Sequence, residues 1–489
     1  MIHEYLRMKY WGVVMGVVVG LVVVGCGTKP NPQSCKDGLC TDQAYPFCDL
    51  DGSLGGEPQE CIAVQCTANE FEACRGDLAV TCNASGNDYE FVDCPLGCEA
   101  GIGCKLCEPN ETRCTNGTVA TCDANGAIAE MESCPLGCFE DEPRCRELAS
   151  SNNLDVVGAM FPDAPDLELT NATVFSDTGA IAVEGAPVVA PSFLVQAQGA
   201  QGPIRVFVMG RLRINGMVAT VSGDPRNSPG PAIAFLAHKD IRLEGTLVVE
   251  PRVGSAILGC MLAGAGNVHS PADGLLYTWG GGGGAHASDG GEGGAITDYS
   301  GPLGAKKGES SGSATLQPLR GGCSGGFHLA TAGTHANGGG AVQFSSGHSI
   351  VITGEIDARG RNGELETVVE DTTSGPAVGG GGAGGGILLE APRVEFMGAT
   401  KVRVSGGHGA SACQVASRNC GLGGTGASVL GPASDGGDIT GNTPDSKHAS
   451  GGGGGGLGRV RINTADGTYV KSSEAVEDGS LTTDVIRTR

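Results

Sequence analysis

The sequence predicts a mainly β protein in which a glycine-rich parallel β-helix, a solenoid of short strands, follows small disulfide-rich modules. Three observations predict this fold class. A phrase of glycines followed by short alternating segments recurs along the C-terminal part of the chain. Glycine provides 86 of the 489 residues, against a usual share of roughly 7 %, and it lacks the period of three that collagen requires. Cysteines concentrate in the N-terminal part, at spacings that repeat.

The recurrent phrase begins near residues 202, 231, 338, 379 and 451, and its last copy is shortened. Its second segment follows one template: polar, apolar, variable, apolar, polar, glycine. The copies of this template are residues 211–216, 240–245, 349–354 and 393–398. Alternation with a period of two predicts a strand with one buried face. Glycine at the sixth position suits a corner that needs an unusual backbone angle or a close contact.

Stacking these copies predicts two inward ladders of apolar side chains. One ladder is Ile214, Leu243, Ile352 and Phe396, and its neighbour is Leu212, Ile241, Ile350 and Val394. Four residues are expected to point outward between them: Arg213, Arg242, Val351 and Glu395. Three more are expected on the next outward face: Asp357, Lys401 and Arg403. Three strands in each of five coils are typical of a parallel β-helix, and a flat β-sandwich is the competing arrangement.

Three long insertions interrupt the coils, at residues 251–337, 362–378 and 408–450. They are rich in glycine, and their glycine runs stand immediately before a coil begins. We expect the runs to lie side by side as extended polyglycine segments, because only glycine lets backbones approach so closely. Disorder is the alternative. Two disulfides are expected within the insertions, Cys260 with Cys323 and Cys413 with Cys420.

Two consecutive blocks of six cysteines predict a tandem duplication of one module. The gaps between cysteines are 7-7-11-3-5 residues in one block and 6-7-11-3-6 in the other. The first block is Cys66, Cys74, Cys82, Cys94, Cys98 and Cys104, and the second is Cys107, Cys114, Cys122, Cys134, Cys138 and Cys145. Each unit is too small to bury a sufficient core, so three disulfides per unit are expected, with the pairing left open.

A smaller lead-in precedes the repeats and is expected to hold two further disulfides among Cys35, Cys40, Cys48 and Cys61. Zinc is the alternative use of the cysteines, because Cys94 and Cys98, like Cys104 and Cys107, have ligand-like spacing. An exported chain favours disulfides instead. We expect no metal and no other cofactor. The repeats are predicted to form a stalk, with a binding head as the alternative.

The N-terminus has the character of an export signal. Arg7 and Lys9 precede an apolar stretch, residues 12–24, that is too short to span a bilayer. The stretch ends in Val-Val-Gly-Cys, which resembles a bacterial lipobox, and the resemblance implies that Cys26 is lipidated and becomes the new N-terminus. Gly27 stands where an aspartate would resemble the inner-membrane retention signal, so an outer-membrane location is expected. The sequence leaves open whether the protein faces the periplasm or the cell surface.

No catalytic constellation emerges from the sequence, and the chain is not expected to be an enzyme. Residues 322–326 match the letters of a G-x-S-x-G elbow but lack its strand and helix. His286, His328 and His335 share one insertion with Trp279 and Asp289, where a metal or sugar site or a scattered polar surface would fit equally. The net charge of −23 and a pI of about 4.7 exclude nucleic acid as a partner.

The chain resembles glycine-rich, lipobox-bearing envelope proteins of Gram-negative bacteria that carry cysteine modules ahead of their repeats. The matching features are Cys26 and residues 316–326, 384–396 and 458–464. The resemblance implies architecture and location rather than chemistry. The predicted organisation is a signal peptide (1–25), a lead-in (26–65), two cysteine repeats (66–106 and 107–146), a linker (147–170), the glycine-rich β-helix (171–470) and a tail (471–489).

These features predict a structural or adhesive protein that is bound to the membrane by its lipid and to envelope or matrix polymers by its β-helix. A polysaccharide lyase or hydrolase on the same scaffold is the first alternative, although the expected outward positions form no cluster of carboxylates. A docking subunit for another envelope protein is the second alternative.

Overall fold

A computed structural model gives the structure of the chain. It describes residues 34–35, 39–64, 66–154, 161, 163–183, 193–199, 202–221, 231–250, 263–264, 268–269, 277–297, 304–326, 336–366, 377–412, 421–439 and 448–489. The described chain is mainly β, with many disulfides and with parallel sheets, as predicted. It divides into two compact units, Met1–Arg113 with Ala120–Met131, and Cys114–Val119 with Glu132–Arg489.

Short antiparallel strands make up the cysteine-rich part. They are β1 (Phe47–Asp49), β2 (Glu60–Ile62), β3 (Phe71–Arg75), β4 (Leu78–Cys82), β5 (Tyr89–Asp93), β6 (Cys98–Glu99), β7 (Gly103–Cys104), β8 (Thr112–Thr115), β9 (Thr118–Cys122) and β10 (Ile128–Ser133). Each cysteine repeat contains one three-stranded sheet, β3-β4-β5 or β8-β9-β10. Asn116 and Gly117 join β8 to β9, and both have positive φ, 50° and 73°, as a tight primed hairpin turn requires.

The remaining strands follow a 3-10 turn at Ser151–Asn153. They are β11 (Leu167–Leu169), β12 (Ala172–Phe175), β13 (Ile181–Val183), β14 (Phe193–Gln196), β15 (Ile204–Met209), β16 (Leu212–Ile214), β17 (Met217–Val221), β18 (Ala232–Ala237), β19 (Ile241–Leu243), β20 (Thr246–Val249), β21 (Val268–His269), β22 (Tyr277–Thr278), β23 (Ala341–Ser346), β24 (Ser349–Ile352), β25 (Glu355–Asp357), β26 (Leu365–Glu366), β27 (Ala377–Val378), β28 (Gly386–Glu390), β29 (Arg393–Phe396), β30 (Lys401–Arg403), β31 (His448–Ala449), β32 (Arg459–Thr464), β33 (Val470–Lys471), β34 (Val476–Asp478) and β35 (Ser480–Val485).

Three large sheets collect most of these strands. Sheet A has the order β14-β15-β18-β23-β28-β32-β35, sheet B the order β11-β16-β19-β24-β29-β33, and sheet C the order β13-β12-β17-β20-β25-β30-β34. From β15 onward the chain visits sheets A, B and C in turn, and each visit adds a strand parallel to the previous one. Two antiparallel strands, β13 and β14, end sheets C and A on the N-terminal side.

The two predicted inward ladders are confirmed. In sheet B, Ile214 pairs with Leu243, Leu243 with Ile352 and Ile352 with Phe396, and the neighbouring ladder keeps the same register. All of these side chains are buried in one apolar cluster that takes residues from all three sheets. Sheet A adds an aromatic stack to the cluster, with ring centroids 5.5 Å apart between Phe207 and Phe235 and 5.3 Å between Phe235 and Phe344.

The corner glycines of the template also behave as predicted. Gly216 and Gly398 adopt φ values of +95° and +61°, which side chains with a Cβ disfavour. At Gly245 glycine is required by a close contact instead. A Cβ there would fall on the backbone of Gly216 in the preceding layer. The glycine at the sixth position of the template is therefore required where one layer stacks directly on the next.

Two stretches outside the predicted β-helix contribute strands to the large sheets. The tail, residues 471–489, contains β34 and β35 and lengthens the sheets, so sheet A holds six parallel strands where five coils were predicted. The sequence hides this layer because β35 is Ser-Leu-Thr-Thr-Asp-Val, whose polar residues suit a partly solvated edge. The predicted linker, residues 147–170, contributes β11 to sheet B and packs on sheet A.

A buried carboxylate fastens this linker to the outer face of sheet A. The side chain of Glu390 is 2 % exposed and accepts hydrogen bonds from Ser151 N (2.9 Å), Ser151 Oγ (2.5 Å), Gln343 Nε2 (2.8 Å), Ser345 Oγ (3.1 Å) and Asn463 Nδ2 (2.9 Å). A buried charge is tolerated only when it is paired or hydrogen-bonded. These donors come from the linker and from the two layers on either side of Glu390, so Glu390 joins three layers of the sheet to the linker.

The glycine runs lie side by side, as expected, but they are helices with three residues per turn rather than flat strands. In residues 379–385 the first, fourth and seventh amides donate to residues 358–364, the second and fifth to residues 323–326, and the third and sixth to residues 453–456. This period of three is that of polyproline II, which has no internal hydrogen bonds. The glycine bundle, residues 279–297, 304–308, 321–326, 336–340, 358–364, 379–386, 404–412, 421–427, 434–439 and 451–458, is held by such contacts between segments.

Polar side chains spaced three residues apart close the edges of the glycine bundle. Asp435 Oδ1 accepts the amide of Glu292 at 2.7 Å, and Asp438 Oδ1 accepts that of Ala295 at 2.6 Å. A second pair, also three residues apart, acts alike: His408 Nδ1 accepts from Gly426 N, and Ser411 Oγ from Gly423 N. Amides that lack a neighbouring helix are thereby satisfied, as backbone donors require.

Replacing Gly381 by alanine is expected to destabilise the protein strongly, because its Cβ would fall on the carbonyl oxygen of Gly407. Gly379 is the matched control in the same run, since its Cβ would meet nothing closer than 3.4 Å. We expect Gly381→Ala to lower the free energy of unfolding by about 1–3 kcal/mol or more, as overpacking does. Gly379→Ala should change it little. Urea denaturation measures both, and equal stabilities would contradict a close-packed glycine bundle.

Replacing Glu390 by alanine is expected to leave several buried donors without an acceptor. Each such group costs about 1–3 kcal/mol, so the free energy of unfolding should fall by at least about 2 kcal/mol. Limited proteolysis should also cut near residues 150–154 sooner than in the wild type. Glu309→Gln, at an exposed position, is the control. A stable Glu390→Ala variant with a protected linker would show that the network does not hold the linker in place.

Candidate functional site

The structure pairs all the cysteines of the two repeats, with one connectivity in both. The first cysteine bonds to the third, the second to the fifth and the fourth to the sixth. The bonds are Cys66–Cys82, Cys74–Cys98 and Cys94–Cys104 in the first repeat, and Cys107–Cys122, Cys114–Cys138 and Cys134–Cys145 in the second. The lead-in forms Cys35–Cys48 and Cys40–Cys61. Equal connectivity on nearly equal spacing supports the predicted duplication.

The other predicted cysteine sites lie partly outside the described residues. Cys323 is disulfide-bonded, whereas its predicted partner Cys260 is outside, as are Cys413, Cys420 and the predicted lipidation site Cys26. One cluster has metal-like proximity: the sulfur atoms of Cys35, Cys40 and Cys61 lie within 4.8 Å of one another. All three are in disulfides, as are the four cysteines with zinc-like spacing, and zinc binds thiolates rather than cystines.

The candidate histidine in the first insertion has a structural role. His286 is fully buried, and its Nδ1 donates to the carbonyl oxygen of Gly384 at 3.0 Å. Burial, together with the charges of Arg320 and Arg459, lowers the pKa of His286 to about 3, so the ring is neutral at physiological pH. His328 and His335 lie outside the described residues. The G-x-S-x-G letters at 322–326 fall within the glycine bundle, not on a strand-to-helix turn.

A polar cleft of about 440 Å³ lies where sheet C meets the glycine bundle. Its ionic and hydroxyl-bearing residues come from three consecutive layers: Glu250, Asp357, Arg359, Arg361, Ser405 and His408. The volume lies within the range typical of ligand sites. Most of these side chains are partly or fully exposed, so a ligand can reach them from solvent.

The register of sheet C explains why these residues converge. Val248 pairs with Asp357, and Asp357 pairs with Arg403, so the residues two positions later in each layer are also neighbours. Those residues are Glu250, Arg359 and Ser405. Each follows the end of its strand, and Arg359 and Ser405 stand where the backbone enters the glycine bundle, so the parallel stacking places the three residues side by side.

One ion pair inside the polar cleft, between Arg359 and Asp357, is closely hydrogen-bonded. Arg359 donates to both carboxylate oxygens of Asp357, from Nε at 2.9 Å and from Nη2 at 2.6 Å. Burial raises the pKa of the Asp357 carboxyl, but the side-chain and backbone hydrogen bonds from Arg359, with the charges of Arg359 and Arg403, outweigh it and hold the pKa below its usual range. Asp357 is therefore an ionised acceptor. A general acid needs a raised pKa instead.

A second ion pair is loose and leaves its groups open to a ligand. Arg361 Nη2 lies 4.0 Å from Glu250 Oε1, too far for a hydrogen bond. Within the described ranges neither side chain makes a hydrogen bond. Next to them the amide of His408 donates to Asn362 Oδ1 at 2.9 Å. The arrangement presents a guanidinium, a carboxylate, an amide, a hydroxyl and an imidazole on one wall, which suits a polar ligand with many hydroxyl or carboxylate groups.

Of these cleft residues, sequence reasoning singled out Asp357 alone. The missed residues share a signal that alignment of the third segments would have revealed. Each missed residue stands within five positions after the end of a third strand, and Arg359, Ser405 and His408 each directly precede a glycine. The predicted neighbours Lys401 and Arg403 remain on the outward face of sheet C, where Arg403 Nε pairs with Glu355 at 3.2 Å.

A larger cleft of about 500 Å³ lies beside the second cysteine repeat, among residues such as Glu147, His238, His348 and Arg489. Several of its polar groups are already used by the fold. Arg489 Nη2 pairs with Glu147 at 3.0 Å, and His238 Nε2 bonds to the carbonyl oxygen of Phe161 at 2.8 Å. The polar cleft, with its open groups, is the better candidate site.

Comparisons with protein-family models, with curated proteins and with solved structures find no match for this chain. Among the described residues, no helix has both the length and the apolar character that crossing a membrane would require. Functional inference therefore rests on the residues of the polar cleft and on the sequence signals at the N-terminus.

Replacing Arg359 by glutamine is expected to raise the pKa of Asp357, because burial is then opposed by fewer hydrogen bonds and charges. A carboxyl whose pKa is depressed by folding stabilises the protein above its unfolded pKa and loses this effect as the pH falls through the folded pKa. The variant should therefore lose less stability on acidification than the wild type. Carbon-13 NMR titration of the carboxyl measures the pKa, and Arg361→Gln, which should leave it unchanged, is the control. An unshifted titration in Arg359→Gln would contradict the assigned cause.

Proposed function

We propose that the chain is a lipid-anchored protein of the bacterial cell envelope, structural or adhesive in role, that binds polysaccharide of the envelope or matrix in the polar cleft. The cleft is the observation that carries the proposal. It gathers donors and acceptors from three stacked layers, and sugar hydroxyls both donate and accept hydrogen bonds. Its position on parallel strands gives the recognising groups a rigid base.

The fold proposed for this role is a parallel β-helix with sheets A, B and C as its walls. Three features support it: the fixed order in which the chain visits the sheets, the parallel pairing of equivalent strands, and the single apolar cluster shared by all three sheets. Stacked repeats create long, regular surfaces on which a polymer can lie along several layers. The polar cleft would then occupy the outer side of the wall formed by sheet C.

The location is proposed from the sequence. Cys26 in its lipobox-like context would carry the lipid, and Gly27 favours the outer membrane. Several acyl chains on one residue give a stable anchor. The cysteine repeats would act as a stalk, because their disulfides give small modules the stability that their cores lack.

An enzyme on the same scaffold, a polysaccharide lyase or hydrolase, is the alternative function. The polar cleft does contain the two carboxylates Glu250 and Asp357, and glycoside hydrolysis uses such pairs. Asp357 is held ionised by Arg359, however, so it does not have the environment of a general acid. Binding is the function that this electrostatic arrangement supports. A docking subunit for another envelope protein is the second alternative.

Filling the polar cleft is expected to abolish glycan binding. Ser405→Trp places an indole among the cleft residues, whereas Arg242→Trp places the same side chain on the outward face of sheet B as the control. On an array of bacterial polysaccharides the wild type and the control should retain the same ligands, and Ser405→Trp should lose them at unchanged melting temperature.

A parallel assay for new reducing ends distinguishes binding from catalysis. Ligands retained without new reducing ends support the proposal. New reducing ends would favour the enzyme. Ligands retained by Ser405→Trp would contradict the assignment of the polar cleft. A stable protein partner in a mild-detergent pull-down, with no glycan bound, would favour the docking subunit.

A further inference from the structure

We propose that the polar cleft selects acidic polysaccharide, in which a uronate carboxylate binds the guanidinium of Arg361. This inference rests on the proposed function and names the ligand class of the same site. It comes from the hydrogen-bonding groups in the cleft that the fold leaves available.

The available donors outnumber the available acceptors. Arg361 carries five N–H donors, and no hydrogen bond from its side chain occurs in the described part of the chain. Its side chain is 56 % exposed. His408 Nδ1 accepts the amide of Gly426 at 3.3 Å, so in the neutral ring Nε2 carries the proton and can donate to a ligand. Asn362 uses its Oδ1 on the amide of His408 and keeps its NH₂ for a ligand.

The acceptors are fewer because one carboxylate is already occupied. Asp357 receives both Arg359 hydrogen bonds and the Arg359 amide at 3.1 Å. Glu250 is then the one carboxylate of the cleft, as far as the structure describes it, without a hydrogen bond. A neutral sugar needs donors and acceptors in similar number, whereas a carboxylate needs donors only. The surplus of donors around Arg361 therefore suits a carboxylate ligand.

Arginine is the side chain best suited to this contact. Its planar fork can bond both oxygens of a carboxylate, and such bidentate, charge-assisted bonds are about twice as strong as neutral ones. Here the 4.0 Å gap between Arg361 and Glu250 leaves the fork open. Glu250 has the opposite effect on an acidic ligand, since its negative charge repels the incoming carboxylate.

The negative net charge of the chain does not override this local preference. At −23 the protein repels polyanions at long range. At 0.15 M ionic strength, however, exposed charges are screened beyond about 8 Å. The groups in contact with the ligand then decide which polymer is retained.

The experiment compares matched ligands and two variants with opposite expected effects. The ligands are tetrasaccharides of galacturonate, glucuronate and guluronate, each paired with the same tetrasaccharide after chemical reduction of its carboxyl groups. Calorimetry on the full-length protein in detergent should show at least one acidic tetrasaccharide binding about tenfold or more tightly than its reduced form, as a charge-assisted pair allows. Arg361→Ala should remove this difference, and Arg361→Lys should restore part of it.

Glu250→Gln tests whether the negative charge of Glu250 repels an acidic ligand. It should tighten binding of the acidic tetrasaccharide, because a repulsive charge is removed, and it should not tighten binding of the reduced form. Arg242→Ala, an exposed arginine of sheet B, is the control and should change neither. Tighter binding of the reduced forms would overturn the inference and leave the proposed function standing. No binding of any tetrasaccharide would overturn both. Weaker binding of the acidic form by Glu250→Gln would contradict the repulsion assigned to Glu250 and would also overturn the inference.

Discussion

The absence of a Cβ along the glycine runs is the constraint on which the rest of this structure depends. Each segment of the glycine bundle directs successive amides to different neighbours, so every backbone must approach several others closely. A Cβ on Gly283 or Gly454 would fall on a carbonyl oxygen of a neighbouring segment. At such positions only glycine lets the backbone donors be satisfied in this way, and the very high glycine content is therefore a packing requirement rather than a sign of flexibility.

The glycine bundle and the three sheets are parts of one repeating pattern. In sheet C, β25 and β30 lead directly into segments of the glycine bundle, and the glycine runs 336–340, 379–386 and 451–458 lead into β23, β28 and β32 of sheet A. Gly384 and Gly385 show the continuity, because their carbonyl oxygens contact His286 and their chain continues directly into β28. Side chains placed at this junction are repeated from layer to layer, and the polar cleft arises there.

The sequence predicts the features that follow from a short repeat along the chain. It does not predict contacts between residues that are far apart in the sequence. The ladders through Ile214 and Leu212 follow from alternation and from the corner glycine. The link between Ser151 and Glu390 joins residues 239 positions apart, and no local pattern marks it. The terminal layer was missed because β35 is polar, and the cysteine pairing was left open because spacing alone cannot select it. The cleft residues were missed because they follow the strands and do not belong to their alternation.

The same physics supports our proposal that this scaffold serves recognition rather than catalysis. The three-residue period exposes only every third side chain of an edge helix, and several of these positions, such as Asp435 and His408, are used to cap neighbouring amides. Near the junction the charge of Asp357 is paired with that of Arg359. Acid–base catalysis needs a group whose pKa is moved toward neutrality by burial, and here the pairing moves the pKa of Asp357 the other way. A rigid wall with fixed charges and one open guanidinium suits selective holding of a polymer.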